Sequence, residues 1–309
     1  MADATNAAAR AALYALYEAA FQTAHPRVCL PAHLPPVPAG GKIIIIGAGK
    51  GTAAMTVATE NHYIAAAQQG SISGLVSTRH GFGLPTQIIK IIEAGHPVPD
   101  ANSIEGARLA IELAKSAGPN DLVLCLLSGG ASALWAAPVE GVSFEAKQQL
   151  TKQHLKSGAP ISEMNCVRKH LSRIKGGKLA AAAYPAKLLT LSISDVPGDH
   201  PDEIGSGPTV ADRSTLADAR AVLAKWGITP SPEIAAALEN AANETVKAGD
   251  PRLANSDYRI VAAPKASIEA AAKIARANGY RVEFLGDSLE GEARDVAAAH
   301  AAMALDAKR

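Results

Sequence analysis

The sequence predicts an α/β protein: a Rossmann-like, three-layer α/β/α domain with a mostly parallel sheet, followed by part of a second α/β domain. Short β-branched runs alternate with Ala-rich helical stretches, which is typical of βαβ units whose sheet is covered on both faces. A hydrophobic content of 48% with 19% charged residues argues against disorder. The predicted strands lie at 43–46, 72–77, 88–93, 122–127, 188–193, 258–263 and 280–285.

A predicted helix and a proline-rich linker precede the first strand. Residues 5–24 space their apolar side chains at helical intervals, and the proline-rich segment 26–38 ends that helix.

A Gly-Asp-Pro segment at 249–251 interrupts a later helical region, so we expect one domain over 1–250 and the start of a second over 251–309. About 55 residues are too few for a well-covered α/β layer. The second domain is therefore expected to be incomplete.

Charge, cysteines and hydropathy exclude several classes of protein. The formal net charge is +1 and no basic tract is present, so nucleic acid is not an expected partner. Cys29, Cys125 and Cys166 lack the spacing of a zinc site or a disulfide framework. No secretory signal and no apolar run of roughly 18 residues is visible. A cytoplasmic protein without a membrane partner is expected.

The segment 47–52, Gly-Ala-Gly-Lys-Gly-Thr, follows the first predicted strand. Ligands of open parallel sheets bind beyond the carboxyl ends of strands, where helix N-termini present unpaired N–H groups, so Gly49 and Lys50 are candidate anion-binding residues. The segment is not a P-loop, because Ile44 replaces the first glycine and Gly51 the final Ser or Thr. It also differs from the dinucleotide-binding fingerprint Gly-x-Gly-x-x-Gly, because its third glycine is at position 51 instead of 52. A glycine turn with a solvated lysine is the alternative.

The loop after the strand at 122–127 consists of small residues. Successive N–H groups of such a loop can surround a phosphate or a carboxylate. A serine-hydrolase elbow needs glycine two places before the serine, and position 126 is Leu. A tight strand-to-helix turn is the other reading. The candidate substrate-binding residues are Ser128, Gly129, Gly130 and Ser132.

A basic stretch runs from Asn165 to Lys178. On a continuous helix Arg168 and Lys175 lie on one face, at i, i+7 spacing. A cationic stripe of this kind suits an anionic substrate with several oxygens, whereas a solvated helix surface is the alternative. The density of positive residues in a nearly neutral chain favours a site.

Asp195 comes directly after the strand at 188–193, and Asp199 follows four residues later. A carboxylate at a strand end can bind Mg²⁺ or act on a hydroxyl, so Asp195 is a candidate catalytic residue and metal ligand and Asp199 a candidate substrate-site residue. Capping of a helix or turn is the alternative role. A lysine, a small-residue loop, a cationic stripe and an acidic strand end together indicate phosphoryl transfer.

These segments, taken in order, resemble the glycerate 2-kinase family, some members of which carry the name tartrate-utilisation hydroxypyruvate reductase. The resemblance rests on residues 47–55, 127–134, 165–178 and 194–208, and it covers nearly the whole chain. As a set these motifs are highly specific, although each alone is weak.

The resemblance implies phosphorylation of D-glycerate at its 2-hydroxyl, with ATP and Mg²⁺, to give 2-phosphoglycerate. Lys50 matches the family's essential lysine and Asp195 its acidic residue at a strand end. The segments 128–132 and 168–175 match those that border the substrate cleft. Family members continue past the position of Arg309 with a glycine- and arginine-rich segment that supplies an essential arginine, and this sequence lacks it. D-glycerate and ATP are the expected partners, and a homodimer is compatible with the sequence.

Two other functions stay open at this stage. An NAD(P)H-dependent hydroxypyruvate reductase needs a nicotinamide site, and the broken dinucleotide fingerprint argues against one. A non-catalytic protein that binds sugar acids or nucleotides needs the same loops but no reactive Asp195.

Overall fold

The computed structural model describes residues 2–289 and 291–307. Its strands are β1 (Ile43–Ala48), β2 (Ile72–Arg79), β3 (Lys90–Ala94), β4 (Leu122–Leu127), β5 (Lys187–Ile193) and β6 (Ser256–Ala262). Its helices are α1 (Ala2–Ala24), α2 (Pro26–Cys29), α3 (Thr52–Ala65), α4 (Ala101–Lys115), α5 (Ala131–Leu134), α6 (Phe144–Ser157), α7 (Ile161–His170), α8 (Lys178–Ala183), α9 (Leu216–Lys225), α10 (Pro232–Glu239), α11 (Pro264–Ala277) and α12 (Ala293–Ala307).

The six strands form one parallel sheet in the order β3-β2-β1-β4-β5-β6. The chain winds from β1 to one edge and then, through β4, to the other edge. The topological switch lies between β1 and β4, whose last residues Ala48 and Leu127 are in register. Ligands of such sheets bind outside the strand ends at this switch. The predicted α/β fold with a mostly parallel sheet is confirmed.

Four consecutive isoleucines form β1 because both faces of the sheet are covered. Ile44 and Ile46 pack into one apolar cluster, which α4 and α8 complete, and Ile43 and Ile45 pack into a second cluster with α3. All four are at most 1% exposed. A strand buried on both faces reads as a continuous apolar run, and each such side chain contributes about 1.5–3 kcal/mol by its burial.

A third apolar cluster joins the helices α6, α7, α9 and α10. Leu150, Val167, Leu223 and Leu238 lie at its centre. These helices lie in the long segments that connect β4 to β5 and β5 to β6. Helix α7 carries part of the basic stretch. The cluster is separate from the two that cover the sheet.

Six of the seven predicted strands are confirmed, with ends within two residues of the predicted ones. The predicted strand at 280–285 is wrong, because these residues form no strand in the structure. Most of them are exposed, and no strand of the described chain pairs with them. An apolar run forms a strand only when a neighbour satisfies its backbone groups.

The segment after the predicted domain boundary begins by extending the first sheet. β6 pairs with β5, and α11 packs against α1. Residues 256–277 therefore contact the first sheet and its helices, while the division into two domains at residue 250 stays a prediction. In the part of the chain that the structure describes, no helix has the length and apolarity needed to cross a membrane.

Candidate functional site

The loops after β1, β4 and β5 meet at the carboxyl edge of the sheet. The Nζ of Lys50 lies 3.3 Å from Oδ2 of Asp195. The backbone N–H of Lys50 donates to the carbonyl oxygen of Gly129 at 2.8 Å. The Lys50 and Asp195 side chains are 41% and 53% exposed, so the ion pair adds little stability and both groups are accessible to a ligand.

Ser128 holds the loop that carries Lys50. Its hydroxyl accepts the N–H of Gly51 at 3.0 Å and lies 3.3 Å from Oγ1 of Thr52. Its own N–H donates to the carbonyl of Ala48 at 3.2 Å. Ser128 is only 4% exposed. The structure thus gives it a positioning role, and direct contact with a substrate stays a prediction.

Two glycines are required because the strand-end loops touch. Gly49 has φ +148°, and a Cβ there would lie 2.0 Å from the Ser128 hydroxyl oxygen. A Cβ on Gly129 would lie 1.9 Å from Oδ2 of Asp195. Any side chain at either position would displace a neighbour. The small residues of both loops therefore bring Lys50 and Asp195 together.

His96 belongs to this edge although the sequence analysis missed it. It follows β3, and a Cβ on Gly130 would come within 2.8 Å of its Nε2, so the imidazole lies over Gly130. Burial lowers the pKa of His96, and the positive charges of Lys50 and Arg79 lower it further. The ring is therefore neutral at neutral pH and can donate or accept a hydrogen bond. Its position directly after a predicted strand is the signal that could have identified it.

The far end of the loop after β4 is joined to the basic stretch. The Nζ of Lys175 donates to the carbonyl oxygen of Ser132 at 2.9 Å and to its hydroxyl at 3.0 Å. The Ser132 hydroxyl also lies 2.9 Å from that of Ser206, which in turn donates to Oδ1 of Asn165. Lys175 is 3% exposed. This buried network ties the loop to α7.

The basic stretch is not one continuous helix, so the predicted i, i+7 face from Arg168 to Lys175 is wrong. α7 ends at His170, and the chain turns back so that the N–H of Arg173 donates to the carbonyl of Ala137 at 2.8 Å. Gly176 and Gly177 then adopt φ +58° and +78° before α8. The charge of Arg168 nevertheless lowers the pKa of Lys175, after the larger effects of burial and Lys147.

Other residues of the basic stretch have structural partners. The Nζ of Lys169 lies 3.0 Å from Oδ1 of Asp212, and both side chains are buried. Nε2 of His170 lies 2.8 Å from Oε1 of Glu244. These two side chains are paired inside the fold and are not directed at the strand ends.

Asp199 lies in the turn after Asp195, where its N–H donates to the carbonyl of Val196 at 3.0 Å. Its Oδ1 is buried without a hydrogen-bond partner in the described chain. The structure shows no hydrogen bond between Asp199 and Asp195. A role for Asp199 at the site stays a prediction.

The donor set fits Mg²⁺ in one manner of binding. Among residues 2–289 and 291–307, no group of three or more His, Cys, Asp or Glu side chains is arranged to hold a metal. Mg²⁺ in phosphoryl-transfer sites is often bound by one or two carboxylates together with substrate phosphates and waters. The exposed Asp195 carboxylate fits this manner of binding, in which the metal arrives with a nucleotide.

Comparisons with known proteins show the family to which the chain is related. Residues 12–239 match the model of a family described as a domain of unknown function, DUF4147. A protein of Agrobacterium vitis, provisionally named hydroxypyruvate reductase, is 47% identical over 98% of this chain and 67% of its own length. D-glycerate 2-kinase of Thermotoga maritima is 44% identical over 72% of this chain and 52% of its own length.

The crystal structure of glycerate kinase from Thermotoga maritima has the same fold. It superposes with a TM-score of 0.79 at 36% identity, and the match covers 90% of this chain and 64% of that chain. The present chain spans about half to two thirds of the length of these relatives. By its match over residues 12–239 and its identity to these relatives, the chain belongs to the DUF4147 family, which it shares with homologues named glycerate 2-kinase.

Proposed function

We propose that this chain carries the phosphoryl-transfer site of a glycerate 2-kinase, which moves the γ-phosphoryl group of ATP to the 2-hydroxyl of D-glycerate and yields 2-phosphoglycerate. The contact between Lys50 and Asp195 at the strand switch is the observation that carries the proposal. Relatives named D-glycerate 2-kinase and glycerate 2-kinase, at 44% and 40% identity, support the choice of acceptor.

Lys50 supplies the positive charge that such a transfer needs. Phosphoryl transfer depends on positioning and on neutralising the charge of the moving group far more than on covalent chemistry by the protein. The ammonium of Lys50 is solvent-accessible and is held at a strand end by the hydrogen bond from its backbone to Gly129. It therefore stabilises charge on the phosphoryl group without first breaking a buried interaction.

Asp195 orients the acceptor. A carboxylate and a phosphate at about 4 Å repel each other by roughly 4 kcal/mol at intermediate dielectric, so a cation or the substrate hydroxyl must lie between them. Lys50 already occupies one side of the carboxylate. Asp195 is the residue that would hold Mg²⁺, which would add to the neutralisation of the phosphate charge. The Asp195 carboxylate can also accept a hydrogen bond from the 2-hydroxyl.

His96 completes the proposed arrangement. Its neutral ring lies over Gly130 and beside Lys50. This places a hydrogen-bonding group on the side of the site opposite β5, the strand that Asp195 follows. Because it is uncharged, the ring hydrogen-bonds a substrate oxygen without competing with Lys50 for the phosphoryl charge.

The assay that tests the proposal compares two reactions on the purified chain. ADP release is measured with D-glycerate, ATP and Mg²⁺, and NADH oxidation is measured with hydroxypyruvate. We expect ADP release that depends on D-glycerate, together with 2-phosphoglycerate, and not 3-phosphoglycerate, as the product identified by NMR. NADH oxidation without ADP release would establish the reductase, which the name of the Agrobacterium vitis relative suggests. Binding of glycerate or nucleotide without either reaction would indicate a binding protein.

A further inference from the structure

Three cationic side chains lie around the end of α7 and the turn that follows it. Lys175 is buried and bonded to Ser132. Lys147 comes from α6, and its Nζ donates to the carbonyl of Leu171 at 3.0 Å. Arg168, on α7, is half-buried and makes no hydrogen bond or ion pair with the part of the chain that the structure describes. We call these three side chains, Lys147, Arg168 and Lys175, the cation cluster.

The members of the cation cluster act on one another and not on a carboxylate. Burial lowers the pKa of Lys147 to about 7, and the charges of Arg168 and Lys178 lower it further. Burial is also the main cause of the lowered pKa of Lys175, followed by Lys147 and Arg168. Lys169 shows the usual alternative, a buried ammonium paired with Asp212. Buried charges are normally paired, so a group of cations without a carboxylate partner indicates a site for an anion.

An unpartnered histidine lies on the same helix as Lys147, seven positions further along. His154 of α6 is 1% exposed, and its Nε2 has no hydrogen-bond partner in the described chain. Burial and then the charge of Arg168 lower its pKa. Buried polar atoms are rarely left unsatisfied, and those that are often have a functional reason.

The cation cluster is continuous with the site at the strand ends. Lys175 reaches the loop after β4 at Ser132, and the beginning of that loop contacts Lys50 and Asp195. On the other side, Nε2 of Gln148 on α6 donates to the carbonyl of Pro99 at 3.2 Å, in the segment that follows His96. A ligand lying along this loop therefore contacts both groups.

We propose that Lys147, Arg168 and Lys175 form an oxyanion pocket that holds the carboxylate of the acceptor during the reaction. The assignment to a carboxylate rests on the proposed function, because an α-hydroxy acid carries its anion on the carbon next to its 2-hydroxyl. The guanidinium of Arg168 can bind both carboxylate oxygens, while the two lysines act as point charges. A nucleotide phosphate offers the same oxyanion chemistry, and the experiment distinguishes the two sources.

The test is a calorimetric titration of the nucleotide-free chain with D-glycerate, inorganic phosphate and MgADP, each alone. The variants are Lys147→Met and Arg168→Gln, and the control is Lys152→Met, an exposed lysine on the same helix. A charge-assisted hydrogen bond lost to a ligand weakens binding by about tenfold or more. We expect that loss for D-glycerate in both variants, with MgADP affinity changed less than about twofold and Lys152→Met unchanged.

Four outcomes test parts of the proposal separately. Unchanged affinity for both D-glycerate and MgADP in both variants overturns the pocket. Weakening confined to MgADP overturns the carboxylate assignment. If the wild-type chain binds phosphate but not D-glycerate, and Lys147→Met no longer binds phosphate, the pocket is supported and the proposed function is wrong. A wild-type chain that binds neither phosphate nor D-glycerate overturns the pocket itself.

Discussion

The Nζ of Lys50 and Oδ2 of Asp195 lie 3.3 Å apart, although 145 positions separate the two residues in the chain. Each follows a strand, β1 and β5, and β4 lies between those strands in the sheet. The loop after β4 lies beside this pair, where Gly129 is next to both residues. The pair therefore depends on three loops that meet at one edge.

Replacement of Lys50 by Met is expected to lower kcat by at least about a hundredfold, the usual effect of removing a positioned electrostatic group. The fold should be unaffected, because the side chain is 41% exposed. The measurement is ADP release at saturating D-glycerate. Lys42→Met, an exposed lysine just before β1, is the control and should keep wild-type turnover. Equal turnover of the two variants would remove Lys50 from the site.

Asp195→Asn is expected to keep the melting temperature and to lose most of the activity. The amide keeps the size of the side chain but loses the charge that pairs with Lys50 and fits Mg²⁺. The measurement is a magnesium titration of turnover, with Glu140→Gln, an exposed carboxylate, as the control. A raised magnesium requirement in Asp195→Asn supports metal binding by this residue. A wild-type magnesium dependence in a slow variant assigns it to hydroxyl orientation, and full activity contradicts both roles.

Gly129→Ala is expected to lower turnover without a large loss of stability. The new Cβ would lie 1.9 Å from Oδ2 of Asp195, which is the end of an exposed side chain and can move away. The carboxylate would then leave Lys50. Turnover and the melting temperature are both measured, beside Gly70→Ala, where an added Cβ meets nothing within 4 Å. A wild-type rate in Gly129→Ala would show that the position of the carboxylate does not matter.

Lys147→Met is expected to stabilise the ligand-free chain at neutral pH. Folding lowers the pKa of this amine from 10.5 to about 7, so the folded state binds fewer protons than the unfolded state between those values. The free energy of unfolding contributed by Lys147 therefore rises as the pH rises through that window. The charges that act with it, Arg168, Lys175 and Lys178, remain in the variant.

Urea denaturation from pH 7 to pH 10 measures this effect. The variant should be more stable than the wild type at pH 7, and the difference should shrink toward pH 10, where the wild-type amine is neutral in the folded state and the pH approaches its unfolded pKa of 10.5. Lys152→Met should follow the wild type at every pH. A variant that is less stable than the wild type at pH 7 would mean that the hydrogen bond to Leu171 outweighs the desolvation of the amine.

Local patterns predicted the strands at the centre of the sheet and the residues that follow them. β4 was predicted with both ends correct because a strand buried on both faces is a continuous apolar run. The same reasoning placed Lys50 and Asp195 at strand ends, and the parallel topology then brought them together. The run at 280–285 has the composition of a strand but no neighbouring strand, and composition does not report pairing.

The sequence predicted two of the three members of the cation cluster. Arg168 and Lys175 were identified from charge density, whereas Lys147 lies on a helix whose exposed positions carry other lysines, such as Lys152. What distinguishes Lys147 is burial against the turn at Leu171. That turn is also why the predicted helical face failed: α7 stops at His170, and Lys175 lies beyond the helix, where its Nζ bonds to Ser132. His96 was missed because its one signal, a position shortly after a predicted strand, was not applied to a lone histidine.

The packing of α1 on α11 has a consequence for how the chain is made. Helix α1 leaves the ribosome before all six strands, yet the helix it packs against is translated after them. Chains begin to fold during synthesis, from the N-terminal side, at about 5–20 residues per second. The centre of the sheet, β1 with β2 and β4, can thus assemble while α1 is still without its late partner α11. Nascent chains stalled before residue 264 would present this helix to chaperones as an undocked apolar segment.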